Sequence, residues 1–276
     1  MSLLPHALVI GPMKAGTTWI QDYLSSRGDI CLPREVKETF FFDRYWNKGV
    51  DWYASHFRHC QNKEHALALE VGSSYFHHPE ASERVRQTLG SVPLLVTLRD
   101  PVKRAWSHYL HLKRYGHTKH PIQKAAQEFP EMLQASRYSD CLRKWYEYFP
   151  LENIHFLWQD LLATSPEDYA HRICQALNLA SSPVPESLRK PSYEAAVPGS
   201  RLLARLGNRT SYLMRGLGLY RVINTGKRMG LHSLFFGRPG SGKDLQPTSE
   251  EMEWLRDQLA NSVPSEAEEA YRSQID

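Results

Sequence analysis

The sequence predicts an α/β protein in which a central parallel sheet, flanked by helices, forms a single domain over residues 1–276. Short apolar runs alternate with amphipathic helical patterns, which is the order of elements in a parallel sheet. The first apolar run ends in a glycine-bearing turn that opens a helix, as in P-loop proteins. The 276 residues, 41% of them hydrophobic, are enough for one large core.

Four strands are expected, and they are His6–Gly11, Ala66–Val71, Leu94–Leu98 and Ile154–Trp158. Each is a short apolar run, and the first stops at a Gly-Pro pair. The expected helices are Thr17–Arg27, Glu80–Leu89, Val102–Arg114, a helix after Ser165, and a final helix over Ser249–Leu259. Ser165 is a suitable N-cap, and Pro166 suits the first turn of the helix that follows it.

Two segments fall outside this alternation. Residues 115–137 are polar and contain two prolines, which predicts either a mobile flap or a helical insertion. Residues 183–247 are rich in Pro, Gly and Arg and are expected to be an irregular C-terminal region.

The composition excludes several classes of function. The formal net charge of +4 is spread along the chain, so no nucleic-acid partner is expected. Neither a signal peptide nor an apolar run of membrane-spanning length is present, which predicts a cytoplasmic protein. The four cysteines show no CxxC pairing and are expected to be buried thiols: Cys31, Cys60, Cys141 and Cys174.

An anion-binding turn follows the first predicted strand. The backbone N–H groups of such a turn and the N-terminus of the next helix attract anions, and Lys14 adds a full positive charge. Gly11 and Gly16 have the spacing of an ATP-binding P-loop, but Thr17 stands where that motif requires lysine. The loop is therefore expected to hold a 5′-phosphate group rather than a terminal γ-phosphate.

A second anion site is predicted after the third expected strand. Arg99 lies at the carboxyl end of that strand, where ligands of open α/β sheets bind. Ser107 follows about two turns into the next helix, so an arginine fork and a hydroxyl could converge on one phosphate.

Together the two motifs resemble those of the sulfotransferases that use PAPS (3′-phosphoadenosine 5′-phosphosulfate), and the resemblance covers about residues 5–180. It implies PAPS as donor and PAP (3′-phosphoadenosine 5′-phosphate) as product, with Lys14 at the leaving phosphate. It implies that Arg99 and Ser107 hold the 3′-phosphate. The implied donor-binding residues in the loop are Lys14, Ala15, Gly16, Thr17, Thr18 and Trp19. Trp19 would stack on adenine, or else be a core residue.

A catalytic base is implied by the segment KETFFFD, which resembles the E-x-x-F-F-D segment of glycosaminoglycan sulfotransferases. Carried over, Glu38 takes the proton of the acceptor hydroxyl, and its aromatic neighbours would raise its pKa. His77 and His78 are rival bases. Val71 stands where many members have lysine, so both a second active-site cation and a carbohydrate acceptor are in doubt.

No metal is expected. His56, His59 and Cys60 are close in sequence, as are His108 and His111, but neither group has a full set of zinc ligands at a known spacing. Sulfuryl transfer to a hydroxyl needs no metal, since the leaving group is a stabilised phosphate anion.

Three alternatives remain open at this point. In a P-loop kinase Asp100 would hold Mg²⁺, and in a non-catalytic module PAP would bind without transfer. The acceptor is either a β-hydroxyacyl chain on an acyl carrier protein, as in sulfotransferase domains of polyketide and olefin synthases, or a carbohydrate, lipid or small molecule. Further contacts to the 3′-phosphate are expected from a basic C-terminal loop, with Arg201, Asn208, Arg238 and Lys243 as candidates.

Overall fold

The computed structural model describes residues 3–60, 67–189 and 246–275, and in them five strands form one sheet. The strands are β1 (Ala7–Val9), β2 (Ile30–Cys31), β3 (Leu67–Val71), β4 (Leu94–Leu98) and β5 (Ile154–Trp158). Their spatial order is β2-β3-β1-β4-β5, and all neighbouring strands are parallel. The predicted α/β class with a central parallel sheet is therefore confirmed.

Helices alternate with these strands along the chain. They are α1 (Thr17–Ser25), α2 (Val50–Ser55), α3 (Ala81–Leu89), α4 (Pro101–Arg114), α5 (Ile122–Glu128), α6 (Glu131–Gln134), α7 (Tyr138–Tyr146), α8 (Asp160–Thr164), α9 (Pro166–Ala176), α10 (Glu186–Arg189), α11 (Ser249–Gln258) and α12 (Ser265–Ile275). The Ser165 hydroxyl accepts the Asp168 N–H, as expected of the N-cap of α9.

The chain divides into two compact units. The first comprises Met1–Arg104, Gln134–Pro191 and Leu259–Asp276, and it contains the whole sheet. The second comprises Ala105–Leu133 and Ser192–Gln258, and its described part is helical.

Successive side chains of a strand point to opposite faces of the sheet, and in the first unit the two faces pack into two separate hydrophobic cores. Ala7 and Val9 belong to a cluster with α1 and α9, whereas Leu8 and Ile10 belong to a larger, aromatic-rich cluster. The larger cluster includes Phe41, Phe42, Tyr53, Phe57, Tyr75 and Trp145, all at most 1% exposed. Both faces of the sheet are thus covered, which explains why β4 is buried at every position.

The strand order determines where ligands can approach. From β1 at the centre, the chain builds β2 and β3 on one side and then β4 and β5 on the other. In such sheets the crevice for ligands lies at the carboxyl ends of the strands where the direction reverses. The phosphate loop follows β1 and Arg99 follows β4, so both lie at the carboxyl ends of neighbouring strands.

The C-terminal helix α12 packs against the edge strand β5. The Gln274 side chain accepts the Trp158 N–H at 3.0 Å and donates to Phe156 O at 2.9 Å. The Trp158 indole donates to Ala267 O at 2.9 Å. The prediction that Ser249–Leu259 is the final helix is therefore wrong, because a further helix follows α11 and supplies the edge partner.

Other predictions differ from the structure or cannot be compared with it. Cys31 and Cys60 form a disulfide, so the expectation of four thiols is wrong; Cys141 and Cys174 are free and buried. Strand β2 was not predicted because its two residues are too few to give a strand pattern in the sequence. Within residues 115–137 the chain forms α5 and α6, a helical insertion. Arg201, Asn208, Arg238 and Lys243 lie outside the described residues, as does most of 183–247.

Candidate active site

The turn after β1 has the backbone of an anion-binding loop. Lys14 and Gly16 both have positive φ angles, 79° and 91°, and turns with such backbone can present N–H groups to an anion. Gly16 is the N-cap of α1, where unpaired backbone N–H groups and the helix dipole add positive potential. The loop thus has the form predicted for a phosphate site, with Ala15 buried inside it.

Close packing at the sheet requires the first glycine of the loop. A Cβ atom on Gly11 would overlap the backbone oxygen and the hydroxyl of Thr97 on β4. The loop therefore leaves β1 in direct contact with β4, which carries Arg99 just beyond its end.

Two arginines donate hydrogen bonds to the backbone of the phosphate loop. Arg99 donates to Lys14 O and Arg104 donates to Met13 O, each at 3.3 Å. Arg104 is fully buried and also donates to the Ser136 hydroxyl, and burial lowers the pKa of Arg99. Arg104 was not among the predicted site residues, although it lies in the same RDPVKR segment as Arg99. Ser107 lies further along α4, in the second unit.

Trp19 is packed within the core. Its ring is 3% exposed, stacks on Tyr23 at 5.4 Å and meets the edge of Tyr169 at 5.2 Å. The indole N–H donates to Leu188 O at 2.9 Å. These contacts give Trp19 a packing role, and its stacking on adenine stays a prediction.

Glu38 is largely buried and is hydrogen-bonded to the segment that follows β3. Its side chain is 11% exposed, and both carboxylate oxygens accept the Ser73 hydroxyl, at 2.9 and 3.1 Å. The Ser73 N–H donates to Oε2 at 3.3 Å. Burial raises the pKa of Glu38, against the opposing charge of Lys37 and the Ser73 hydrogen bonds. Such a carboxylate is a stronger proton acceptor than an exposed one.

Lys37 connects this carboxylate to the phosphate loop. Its Nζ donates to the Thr18 hydroxyl at 2.9 Å and lies 4.0 Å from Glu38 Oε1. Burial lowers the pKa of Lys37, while the Glu38 charge opposes that shift. The sequence predictions assigned no role to Lys37; its place directly before Glu38 was the signal that could have found it.

A second buried carboxylate holds the Glu38 segment in place. Glu70 Oε1 accepts the Thr39 N–H, the Thr39 hydroxyl and the Tyr75 hydroxyl, at 2.7, 2.7 and 2.9 Å. Glu70 Oε2 accepts the Tyr53 hydroxyl at 2.8 Å. Burial raises the pKa of Glu70, and these four hydrogen bonds oppose the shift. The residue next to Glu38 is thus tied to β3.

The rival bases are less suited to the role. Burial, with the Arg104 charge, lowers the pKa of His77 to about 4. Burial also lowers the pKa of His78, whose Nδ1 accepts the Glu80 N–H at 3.3 Å. Both imidazoles are therefore weaker proton acceptors than an ordinary histidine.

Two other residues have structural roles. Asp100 Oδ1 accepts the Lys103 N–H at 2.7 Å, which caps the start of α4. Val71 is fully buried among core residues, so it contributes neither charge nor apolar surface to an acceptor.

These features define a class of protein: an α/β protein with a loop of anion-binding form at the carboxyl edge of its parallel sheet and a buried carboxylate close to that loop. The model of the sulfotransferase domain family matches residues 4–195. The chain therefore belongs to the sulfotransferase domain family, which confirms the resemblance read from the motifs.

Individual relatives agree with this assignment. The membrane-associated sulfotransferase kil1 of Dictyostelium discoideum is 36% identical over 107 residues, 38% of this chain and 22% of that protein. Human heparan sulfate glucosamine 3-O-sulfotransferase 5 is 27% identical over 188 residues, 64% of this chain and 54% of that protein. The chain thus spans between 22% and 54% of these two curated relatives.

The fold is also found in a solved structure. The crystal structure of a sulfotransferase from Alicyclobacillus acidocaldarius matches with a TM-score of 0.59 and 21% identity, over 69% of this chain and 87% of that one. At this identity the likeness shows the fold alone. Among the described residues of this chain, no helix is long and apolar enough to cross a membrane.

Proposed function

We propose that this protein transfers a sulfuryl group from PAPS to an acceptor hydroxyl, giving a sulfate ester and PAP. One observation carries the proposal: Lys37 joins the Thr18 hydroxyl of the phosphate loop to the Glu38 carboxylate, through contacts of 2.9 and 4.0 Å. A donor-phosphate site and a candidate base are therefore neighbours. Transfer between a bound donor and an oxygen nucleophile requires that arrangement.

The loop fits a phosphate group. Its positive-φ backbone at Lys14 and Gly16, the N-terminus of α1 and the Lys14 charge all favour an anion. PAPS supplies an activated sulfuryl group. The acceptor oxygen forms a bond to sulfur as the bond from sulfur to the 5′-phosphate oxygen breaks. Lys14 and the loop N–H groups stabilise the negative charge that builds up on the departing phosphate.

The remaining residues accept the proton of the acceptor hydroxyl and bind the donor. Glu38 accepts the acceptor's hydroxyl proton, while Ser73 orients the carboxylate. Arg99 and Ser107 hold the 3′-phosphate, which distinguishes PAPS from ATP. Thr17, which stands where an ATP-binding P-loop requires lysine, supports this reading over a Mg²⁺-dependent kinase.

Calorimetric titration with PAP tests the donor half of the proposal, with EDTA present and Lys14→Ala as the variant. The matched control is Lys124→Met, which removes an exposed lysine on α5. We expect binding by the wild type and the control, and weaker binding by Lys14→Ala. Binding of ATP with Mg²⁺ in place of PAP would overturn the proposal and favour the kinase.

The acceptor class needs its own experiment. Transfer from labelled PAPS is therefore compared between a carrier-bound β-hydroxyacyl chain and a glucosamine-containing oligosaccharide. Transfer should become saturated with rising acceptor concentration for only one acceptor class, and that class is the substrate. An amine acceptor serves as a third arm. PAP binding without transfer to any of these classes would favour the non-catalytic module.

The compartment is a separate matter. The expected cytoplasmic location rested partly on the absence of paired cysteines. The Cys31–Cys60 disulfide removes that support.

A further inference from the structure

Three soft ligands meet at one place, away from the residues assigned to catalysis. Cys31 ends the edge strand β2, and His59 and Cys60 lie in the short turn Arg58–Cys60. His59 Nε2 lies 3.6 Å from the Cys31 sulfur and 3.5 Å from the Cys60 sulfur. In the part of the chain that the structure describes, this is the group of three His, Cys, Asp or Glu residues whose ligand atoms lie within 4.8 Å of one another.

The two sulfur-to-Nε2 distances match one edge length of a tetrahedral zinc site. Zinc binds thiolate sulfur at about 2.3 Å and imidazole nitrogen at about 2.0 Å, so the sulfur-to-nitrogen edge of the tetrahedron is about 3.5 Å. Both sulfur-to-Nε2 distances agree with that edge. The Cα atoms of the two cysteines are 6.0 Å apart, a separation that also lets both side chains reach one ion.

We propose that, in the reduced protein, Cys31, His59 and Cys60 form a zinc site. In the structure the two sulfurs are joined as a disulfide, so two electrons and two protons must first be supplied. A low-molecular-weight dithiol supplies them: its own sulfurs become a disulfide as the Cys31–Cys60 bond is cleaved to two thiols. Zinc then displaces the two thiol protons, and water completes the coordination.

The surroundings of the site favour a thiophilic ion such as zinc. Both cysteines are 2% exposed, whereas His59 is more open to solvent and gives the ion a route of entry. The site contains no carboxylate, which selects a thiophilic ion over Mg²⁺ or Ca²⁺. The ends of the segment 31–60, which carries Glu38, are cross-linked in both states. The cross-link is the metal ion in the reduced protein and the disulfide in the oxidised protein. Zinc should therefore stabilise the reduced fold.

Cobalt titration tests the site directly, because Co²⁺ replaces zinc and reports its ligands by colour. We expect one equivalent of Co²⁺ to give thiolate charge-transfer absorption and tetrahedral d–d bands in the reduced full chain, with zinc displacing it. The oxidised protein should give neither. Cys60→Ser should lose the charge-transfer signal, and the control Cys141→Ala, which removes a buried free cysteine, should retain it.

His59→Ala separates a three-ligand site from simple dithiol binding. Loss of a residue behind a ligand costs about 10–100-fold in metal affinity, so loss of a ligand itself should cost at least as much. Alkylation gives a readout on the unmutated chain: zinc should protect Cys31 and Cys60 of the reduced protein. Unchanged alkylation with zinc, or cobalt absorption that persists in Cys60→Ser, would overturn the proposal. Neither readout depends on transfer activity.

Discussion

Glu70 accepts the backbone N–H of Thr39 at 2.7 Å, and so a carboxylate on the central sheet holds the residue that follows Glu38. The same oxygen accepts the Thr39 and Tyr75 hydroxyls. A buried carboxylate with this many donors costs desolvation free energy that only a fully paired network offsets. The position of Glu38 therefore depends on a group that is itself inaccessible to substrate.

Removal of Glu70 should destabilise the fold. Glu70→Ala leaves a cavity and the Thr39 N–H and three hydroxyls without their acceptor, so we expect the free energy of unfolding to fall by about 3–5 kcal/mol. Glu70→Gln keeps an oxygen for three donors and loses only the acceptor of Tyr53, which should cost about 1–2 kcal/mol. Urea unfolding measures both. Equal losses in the two variants would contradict the network as described.

Glu38 should control the rate of transfer through its protonation state. Because burial raises the pKa of Glu38, the carboxylate needed as base disappears as pH falls through that raised value, and kcat/KM should fall with it. Glu38→Gln should lower kcat by about 10²–10⁴-fold and leave PAP affinity unchanged. Glu147→Gln, on the exposed surface after α7, is the control. Retained transfer in Glu38→Gln would assign the base elsewhere.

Lys37 should set the pH at which Glu38 works. Its positive charge lowers the pKa of Glu38, so Lys37→Met should move the rise of kcat/KM with pH to higher pH. The deficit should therefore be largest at low pH and shrink as pH rises, in a profile that Lys124→Met leaves unchanged. A loss of equal size at every pH would contradict this electrostatic role.

The strands and the phosphate loop could be predicted because their signals are local. β4 and β5 are five-residue runs in which four residues are apolar or aromatic, and each begins and ends where the sequence predicts. The turn from β1 into α1 has its glycines, lysine and threonines in one segment. Helix α12 was missed because its polar sequence gives little sign of burial; its packing depends on the distant Trp158.

The contacts that assemble the site could not be predicted, since they join distant segments. Glu38 was predicted through its motif, but its hydrogen-bond partner Ser73 is 35 residues away, and Glu70 is 31 residues from Thr39. Likewise His59 and Cys60 looked incomplete as metal ligands because Cys31 comes from the distant strand β2. Burial and pairing of such residues follow from strand order, which a single sequence does not specify.

Gly11 should be intolerant of a side chain. The Cβ of Gly11→Ala would overlap Thr97 on the neighbouring strand, and relief of that overlap should cost about 1–3 kcal/mol of stability. Gly28→Ala is the matched control, because a Cβ there meets nothing within 4 Å. Thermal or urea unfolding compares them. A Gly11→Ala protein as stable as Gly28→Ala would contradict the close approach of β1 and β4.

His77 should make the fold sensitive to acid. Burial, with the Arg104 charge, lowers the pKa of His77 from 6.5 to about 4. Between these two pH values, His77 therefore binds a proton in the unfolded chain but not in the folded protein. Stability from this residue is present above pH 6.5, is lost as pH falls toward about 4, and amounts to about 3 kcal/mol.

Comparison of unfolding free energies at several pH values isolates this contribution. The raised pKa values of Glu38 and Glu70 act in the opposite direction, so the informative quantity is the difference between wild type and His77→Asn. That difference should change between pH 6.5 and about 4 and stay constant above that window. His171→Gln, at an exposed site on α9, should follow the wild type throughout. A wild-type curve parallel to that of His77→Asn would mean that His77 titrates normally and that its pocket admits water.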